Sequence, residues 1–197
     1  PIACNGQCTG TGTANPANGV PPYTYSWNTS PLQATQTATG LCVGNYTVTV
    51  TDAAGSSVKQ TVNITQPATA LSGSVVSTSN ATCNPQCNGS ATVTGSGGSP
   101  VYTYSWNTSP IQSLANATGL CAGTYTCTIT DANGCAVTKT VSITQPAAAL
   151  SGSVVSTTNV PCNPQCTGSA TVIASGGSPV YTYSWNTSPV QSLGNVT

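Results

Sequence analysis

The chain has 197 residues, with two basic and two acidic side chains in all, and no His, Met or Phe. Two lysines cannot neutralise a phosphate backbone, which excludes a nucleic-acid binder. With no His and no Glu, none of the many Ser has a general-base partner, so the composition points away from an enzyme.

The four charges are Asp52, Lys59, Asp131 and Lys139. No pair of carboxylates stands ready for glycoside hydrolysis, and none could cage calcium. The C-x3-C pairs are not read as zinc ligands, because a zinc site needs four nitrogen or sulfur donors and His is absent. No apolar run approaches the roughly 18 residues of a membrane helix. Alternating Val, Ile, Tyr and Trp set the chain apart from a disordered one.

In chain order, the first strong element is "YTYSWNTSP" at Tyr23–Pro31. Period-2 alternation sends Tyr23, Tyr25 and Trp27 to one face and Thr24, Ser26 and Asn28 to the other. "YTVTVT" at Tyr46–Thr51 follows, with Tyr46, Val48 and Val50 inward and Thr47, Thr49 and Thr51 as an outward row. That row fits ordinary β-propensity, and O-glycosylation is its functional alternative. The nonapeptide then returns at Tyr102–Pro110 and Tyr181–Pro189. Trp27, Trp106 and Trp185 are evenly spaced, and Cys4, Cys83 and Cys162 keep the same spacing, as do Cys8, Cys87 and Cys166. Ala68–Thr118 and Ala147–Thr197 agree at 41 of 51 positions.

The complete copy reads as six or seven strands: Ala70–Asn80, Gly89–Gly97, Val101–Asn107, a short segment through "QSLANATGL", Gly123–Thr130 and Ala136–Thr144. The last two flank "DANG", whose Asn133-Gly134 is a hairpin signal. Alternation with frequent turns predicts an all-β chain of tandem β-sandwich repeats, period 79, with no substantial helix. "ITQPA" at Ile64–Ala68 and Ile143–Ala147 sets the boundaries, since Pro cannot continue a strand ladder. The predicted domains are 1–67 (repeat 1, truncated at its N-terminus), 68–146 (repeat 2, complete) and 147–197 (repeat 3, truncated before its last two strands). The chain reads as a window on a longer protein.

"CNPQCNGSATVTGSGGSPVYTYSWNTSP", "TGLCAGTYTCTITDANGC" and "TVSITQP" together resemble the SprB repeats of Bacteroidota surface proteins, named for a gliding-motility adhesin. The resemblance covers nearly the whole period. It implies an Ig-like sandwich array, extracellular or at the cell surface, and carries over no catalytic residue. Within it, Cys87–Cys121 and Cys83–Cys135 are the expected disulfides of repeat 2, with Cys83–Cys87 as a rival, and Cys8–Cys42 is expected in repeat 1. Ser56 stands where repeat 2 has Cys135, so Cys4 is free, paired with Cys8, or cross-linked to a neighbour. Cys127 occupies the core-facing slot of Val48 and reads as a buried thiol.

Trp27, Trp106 and Trp185 are expected core aromatics, with an exposed sugar-stacking platform as the alternative. Nine N-x-[ST] triplets begin at Asn28, Asn45, Asn63, Asn80, Asn88, Asn107, Asn116, Asn186 and Asn195. A soluble surface usually carries roughly 25–35% charged residues, and glycans at these triplets would solvate this one instead. The functional expectation is a non-enzymatic structural region of an extracellular fibre or stalk, disulfide-stapled and glycan-coated. It has no cofactor beyond covalent glycans, and its partners are other copies of the same repeat. The alternative is adhesin repeats that bind extracellular polysaccharide or surfaces directly.

Overall fold

A computed structural model describes residues 1–160 and 168–196. Cys162 and Cys166 lie outside the described residues. Among these residues there are strands and no helix. Contacts group the chain into two compact units. One comprises Pro1–Ser74, Val93–Ala115 and Cys127–Lys139; the other comprises Val75–Thr92, Asn116–Thr126 and Thr140–Thr197.

The first repeat contributes β1 (Gly10–Thr13), β2 (Thr24–Trp27), β3 (Thr37–Leu41), β4 (Gly44–Thr51) and β5 (Ser57–Ile64). The second contributes β6 (Ser72–Ser79), β7 (Gly89–Ser96), β8 (Thr103–Trp106), β9 (Asn116–Leu120), β10 (Gly123–Thr130) and β11 (Ala136–Ile143). The third contributes β12 (Ser151–Thr158), β13 (Ser169–Ser175) and β14 (Asn195–Val196). The second repeat's strands form two three-stranded sheets in the orders β6-β7-β9 and β8-β10-β11. Splitting consecutive strands between two antiparallel sheets in this way is the Ig-like sandwich arrangement. The first repeat has the same plan, with β1-β3 and β2-β4-β5. The third has the single sheet β12-β13-β14.

Alternation decides which side chains go inward. In β4, Val48 and Val50 are buried between half-exposed Thr; in β10, Cys127 and Ile129 take the same places. The first repeat's core is Ile2, Ala14, Trp27, Ala38, Leu41, Val48, Val50 and Ile64, with Tyr23, Tyr25, Tyr46 and Val62 packed against it. Trp27 and Trp106 are 0% and 1% exposed. Each lies opposite the inward residue of the next strand, in the pairs Trp27–Val48 and Trp106–Cys127. A buried indole N–H needs an acceptor. The loop after the aromatic strand supplies it, through Thr35 O for Trp27 and Leu114 O for Trp106, both at 2.9 Å.

Room for the ring comes from the facing strand. A Cβ on Gly12 would stand 3.1 Å from Trp27 Cη2. Gly89 serves a different close approach, away from the ring: a Cβ there would come 2.6 Å from Ile143 Cγ2 and 2.9 Å from the Leu120 carbonyl oxygen.

Trp185 departs from the expectation of a core aromatic. It is only half-buried, although its N–H still donates to Leu193 O at 2.8 Å. Among the described residues no counterpart of β4 or β10 lies over it. Replacing Trp106 with Ala should cost about 3–5 kcal/mol, the usual range for emptying a large aromatic site. Denaturant unfolding would measure this; a loss below about 1 kcal/mol would mean the indole is not the core of the repeat.

Candidate functional site

The features most unlike a generic sandwich lie where one repeat meets the next, and all of them fall inside the first compact unit. Repeat 1 begins with a cysteine loop, Cys4-Asn5-Gly6-Gln7-Cys8. A turn from Gln7 N–H to Cys4 O closes it. The loop is pinned to the exit of its own repeat by three bonds: Ile2 N–H donates to Thr65 O at 2.6 Å, Asn5 Nδ2 to Pro67 O at 2.7 Å, and Gly6 N–H to Gln66 Oε1 at 2.9 Å. The loop therefore sits beside the "ITQP" segment that leads into repeat 2.

The other half of the joint is the β10–β11 turn. Asp131 organises it and is buried. Its Oδ2 accepts from Ser99 N–H, and its Oδ1 accepts from Asn133 and Cys135 N–H, all at 2.9 Å. Gly134 takes φ +83°, a left-handed conformation that suits glycine. Asp52 does the same work in repeat 1, accepting from Val20, Ala54 and Ser56 N–H. Both acids of the chain are thus spent on shaping the same turn.

The turn delivers Cys135 to Cys4, and the two form a disulfide with Cα atoms 5.7 Å apart. Asn133 reinforces the contact, donating through Nδ2 to Ala3 O at 3.0 Å. This corrects the expected Cys83–Cys135 pairing. The bond crosses the repeat boundary, and Cys83 is left exposed with a free thiol. The physical reason is reach: the cysteine loop is tied to the far end of its own repeat, next to the following repeat's turn. One signal was present in the sequence. Cys4 is kept although Ser56 stands where the counterpart of Cys135 would be, which suits pairing across repeats.

The second cysteine of each loop behaves differently. Cys8 is bonded to Cys42 and Cys87 to Cys121, each pair joining the loop to the end of a strand in its own repeat. Cys127 is a buried free thiol, and desolvation pushes its pKa up, which suits a packing role rather than chemistry.

The N-x-[ST] asparagines Asn28, Asn45, Asn63, Asn80, Asn88, Asn107, Asn116 and Asn186 are all exposed, while Asn195 is described in its backbone only. Several are held by backbone or neighbouring groups. Asn28 Oδ1 accepts from Thr47 N–H at 2.7 Å, and Asn80 Oδ1 from Thr144 N–H at 3.0 Å. Asn63 donates to Asn45 Oδ1 at 2.6 Å, and Asn88 both accepts from Thr82 N–H and donates to Thr82 Oγ1. The Thr of the first triplet also structures the loop, since Thr29 Oγ1 accepts from Gln33 N–H; Thr108 and Gln112 repeat the bond.

A family model described as the SprB repeat matches three times, over residues 1–32, 75–110 and 154–190, just over half of the chain. The chain belongs to the SprB repeat family. SprB repeats occur in cell-surface proteins and are structural rather than enzymatic units, in keeping with the disulfides here. The matched segments hold the cysteine loops and the aromatic strands; the turn bearing Cys135 lies between them. No curated protein matches the chain. No helix among the described residues is long and apolar enough to cross a membrane.

The Asp131 carboxylate is held below the usual range, first by the Ser99 N–H bond and then by those of Cys135 and Asn133, with desolvation opposing. A depressed folded pKa gives stability that is complete above the ordinary carboxylate pKa and is lost as pH falls through the lower, folded value. Thermal unfolding between neutral and strongly acidic pH should therefore show an acid limb that begins in the ordinary Asp range and runs down through the lower, folded value. Asp131→Asn should reduce that limb and lower the melting temperature at neutral pH. An acid limb unchanged in the variant would remove Asp131 from this role.

Proposed function

We propose that the chain is a load-bearing part of an extracellular surface fibre, whose repeats are stapled head to tail and coated by glycans. The observation that carries this reading is the Cys4–Cys135 bond. The polypeptide already links the repeats through "ITQP"; the disulfide adds a second covalent connection. A joint held at two points resists swivelling, and tension passes through the disulfide rather than through the folded sandwich between its ends. The buried Trp27 and Trp106 favour this reading over a polysaccharide-binding ladder, because those indoles offer no stacking face. The near absence of charge favours a glycan coat, with the exposed Asn and Thr as its attachment points. Other copies of the repeat, in the same or neighbouring chains, are the partners this reading implies.

Stretching the chain between its ends tests the joint. The Cys4–Cys135 pair spans 131 residues, so it hides roughly 450 Å of contour length at about 3.4 Å per residue. Reductant should release that length. In Cys135→Ser, only the two 34-residue loops stay hidden, roughly 230 Å together. Equal release from the native chain and from Cys135→Ser would sink the load-bearing joint.

The coat is tested by glycopeptide mass spectrometry of material from the native source. Hexose-containing additions are expected on peptides carrying Asn28, Asn107 or Asn186, or on their neighbouring Ser and Thr. Unmodified peptides at all three would remove the coat from these positions.

A further inference from the structure

The chain has four Asn-Gly pairs, at Asn5, Asn18, Asn88 and Asn133. Two of them flank the staple directly, as Cys4-Asn5-Gly6 on the loop and Asn133-Gly134-Cys135 on the turn. Asn-Gly is prone to lose its side-chain amide, because a glycine carries no Cβ to obstruct its nitrogen on the way to the Asn Cγ. The reaction needs two free groups. Nδ2 must be able to leave, and the glycine nitrogen must be able to swing onto Cγ. At Asn133 both are held, although the side chain is exposed to water. Nδ2 donates to Ser99 Oγ at 2.7 Å and to Ala3 O at 3.0 Å. Gly134 N–H donates to Asp131 O at 3.0 Å. Asn5 is held as well, but by partners of another kind. Its Nδ2 donates to Pro67 O, and Gly6 N–H donates to Gln66 Oε1, both at the exit of its own repeat. Of the two, Asn133 alone takes part of its restraint from the other side of the repeat boundary.

We propose that Asn133-Gly134 is a self-modification site, kept unreactive by the closed joint and converted to aspartate or isoaspartate once the joint opens. In the open joint, hydroxide takes the proton of Gly134 N, and that nitrogen attacks Asn133 Cγ. A new N–Cγ bond closes a five-membered succinimide. The Cγ–Nδ2 bond breaks, and Nδ2 leaves as ammonia with the bonding pair and a proton from water, which restores the hydroxide. Water then opens the ring at either carbonyl. Water is the one co-reactant, ammonia is the leaving group, and nothing is oxidised or reduced. Either product removes the donor that Asn133 offers to Ala3 O and sets a second carboxylate two residues from Asp131. Isoaspartate also lengthens the main chain of a turn that Asp131 shapes through the N–H groups of Asn133 and Cys135. A brief opening therefore closes again with Asn133 intact, whereas a long one becomes permanent. Guarding Asn133 needs only a closed joint, loaded or not, so its failure and that of the extension measurement on Cys4–Cys135 are independent.

The test holds the full chain at mildly alkaline pH without reductant and follows amide-to-acid conversion at Asn133 and Asn5 by peptide mass. A synthetic peptide of the sequence Thr130–Val137 is the open reference. Asn133 in the parent chain should convert roughly tenfold or more slowly than in the peptide, because reaction waits for local opening. Cys4→Ser opens the joint and leaves Cys8–Cys42 and Cys87–Cys121 in place. It should speed conversion at Asn133 by roughly threefold or more, the change expected for one lost hydrogen bond, and leave Asn5 at the parent rate. Adding Ser99→Ala, which removes the other Nδ2 acceptor, should bring Asn133 close to the peptide. Shielding of Trp27 and Trp106 from acrylamide checks that both variants stay folded. Asn133→Asp, reduced and reoxidised, should regain much less Cys4–Cys135 than the parent does. The proposal is overturned if Asn133 in the parent converts as fast as the peptide, or if Cys4→Ser leaves its rate unchanged. It is equally overturned if Asn5 accelerates in step with Asn133, which would mark general loosening, or if Asn133→Asp regains the bond in full.

Discussion

The indole of Trp106, like that of Trp27 before it, is the largest side chain its repeat buries, and much of the repeat is arranged around it. In the first repeat, Gly12 of the facing strand gives the ring room. The strand beside it supplies Val48 or Cys127 as a neighbour of matching depth. The loop that follows turns back far enough to accept its N–H through a backbone carbonyl, and in doing so carries the Asn-Thr-Ser triplet to the surface. Burying such a ring is worth about 1.5–3 kcal/mol from area alone. In a domain as small as one of these repeats, that is a large share of what holds the sheets together.

A core that small leaves a need for staples, and the cysteines answer it in two ways. Cys8–Cys42 and Cys87–Cys121 close loops within a repeat, where the constraint acts mainly on the unfolded chain. Cys4–Cys135 acts on the joint. Its geometry depends on a cooperative arrangement: the cysteine loop must be pinned against "ITQP", and the β10–β11 turn must be held in shape by Asp131. In a chain with almost no charge, the two carboxylates sit where several backbone N–H groups converge, and they order a turn instead of solvating a surface. The uncharged exterior is then the consequence of having no acids and almost no bases left for it.

Much of this architecture was legible along the chain. The repeat period needs only comparison of the chain with itself. The strands announce themselves by alternation, because a sheet with one buried face imposes period 2 on "YTVTVT" and "YTCTIT" alike. The hairpin was readable in "DANG", and the inward Trp followed from having three Trp and no Phe to fill a core. The burial of Cys127 followed from its alignment with Val48. These are local or repeat-level properties, and local patterning is where one-dimensional reasoning is strong.

Pairing is a different kind of fact. Cys135 has two chemically identical candidates, Cys83 in its own repeat and Cys4 in the one before, and the only hint of the distant one is that Ser56 stands where Cys4 would otherwise find the counterpart of Cys135. The choice depends on which end of a repeat the cysteine loop is folded against, which is set by hydrogen bonds from Ile2, Asn5 and Gly6 to Thr65, Pro67 and Gln66 at the far end of the repeat. By itself, the sequence determined the period, the strands and most of the inward faces, because each is written in residue type and spacing. Only the tertiary structure decided that Cys135 meets Cys4, because that depends on where separate segments come to rest in space.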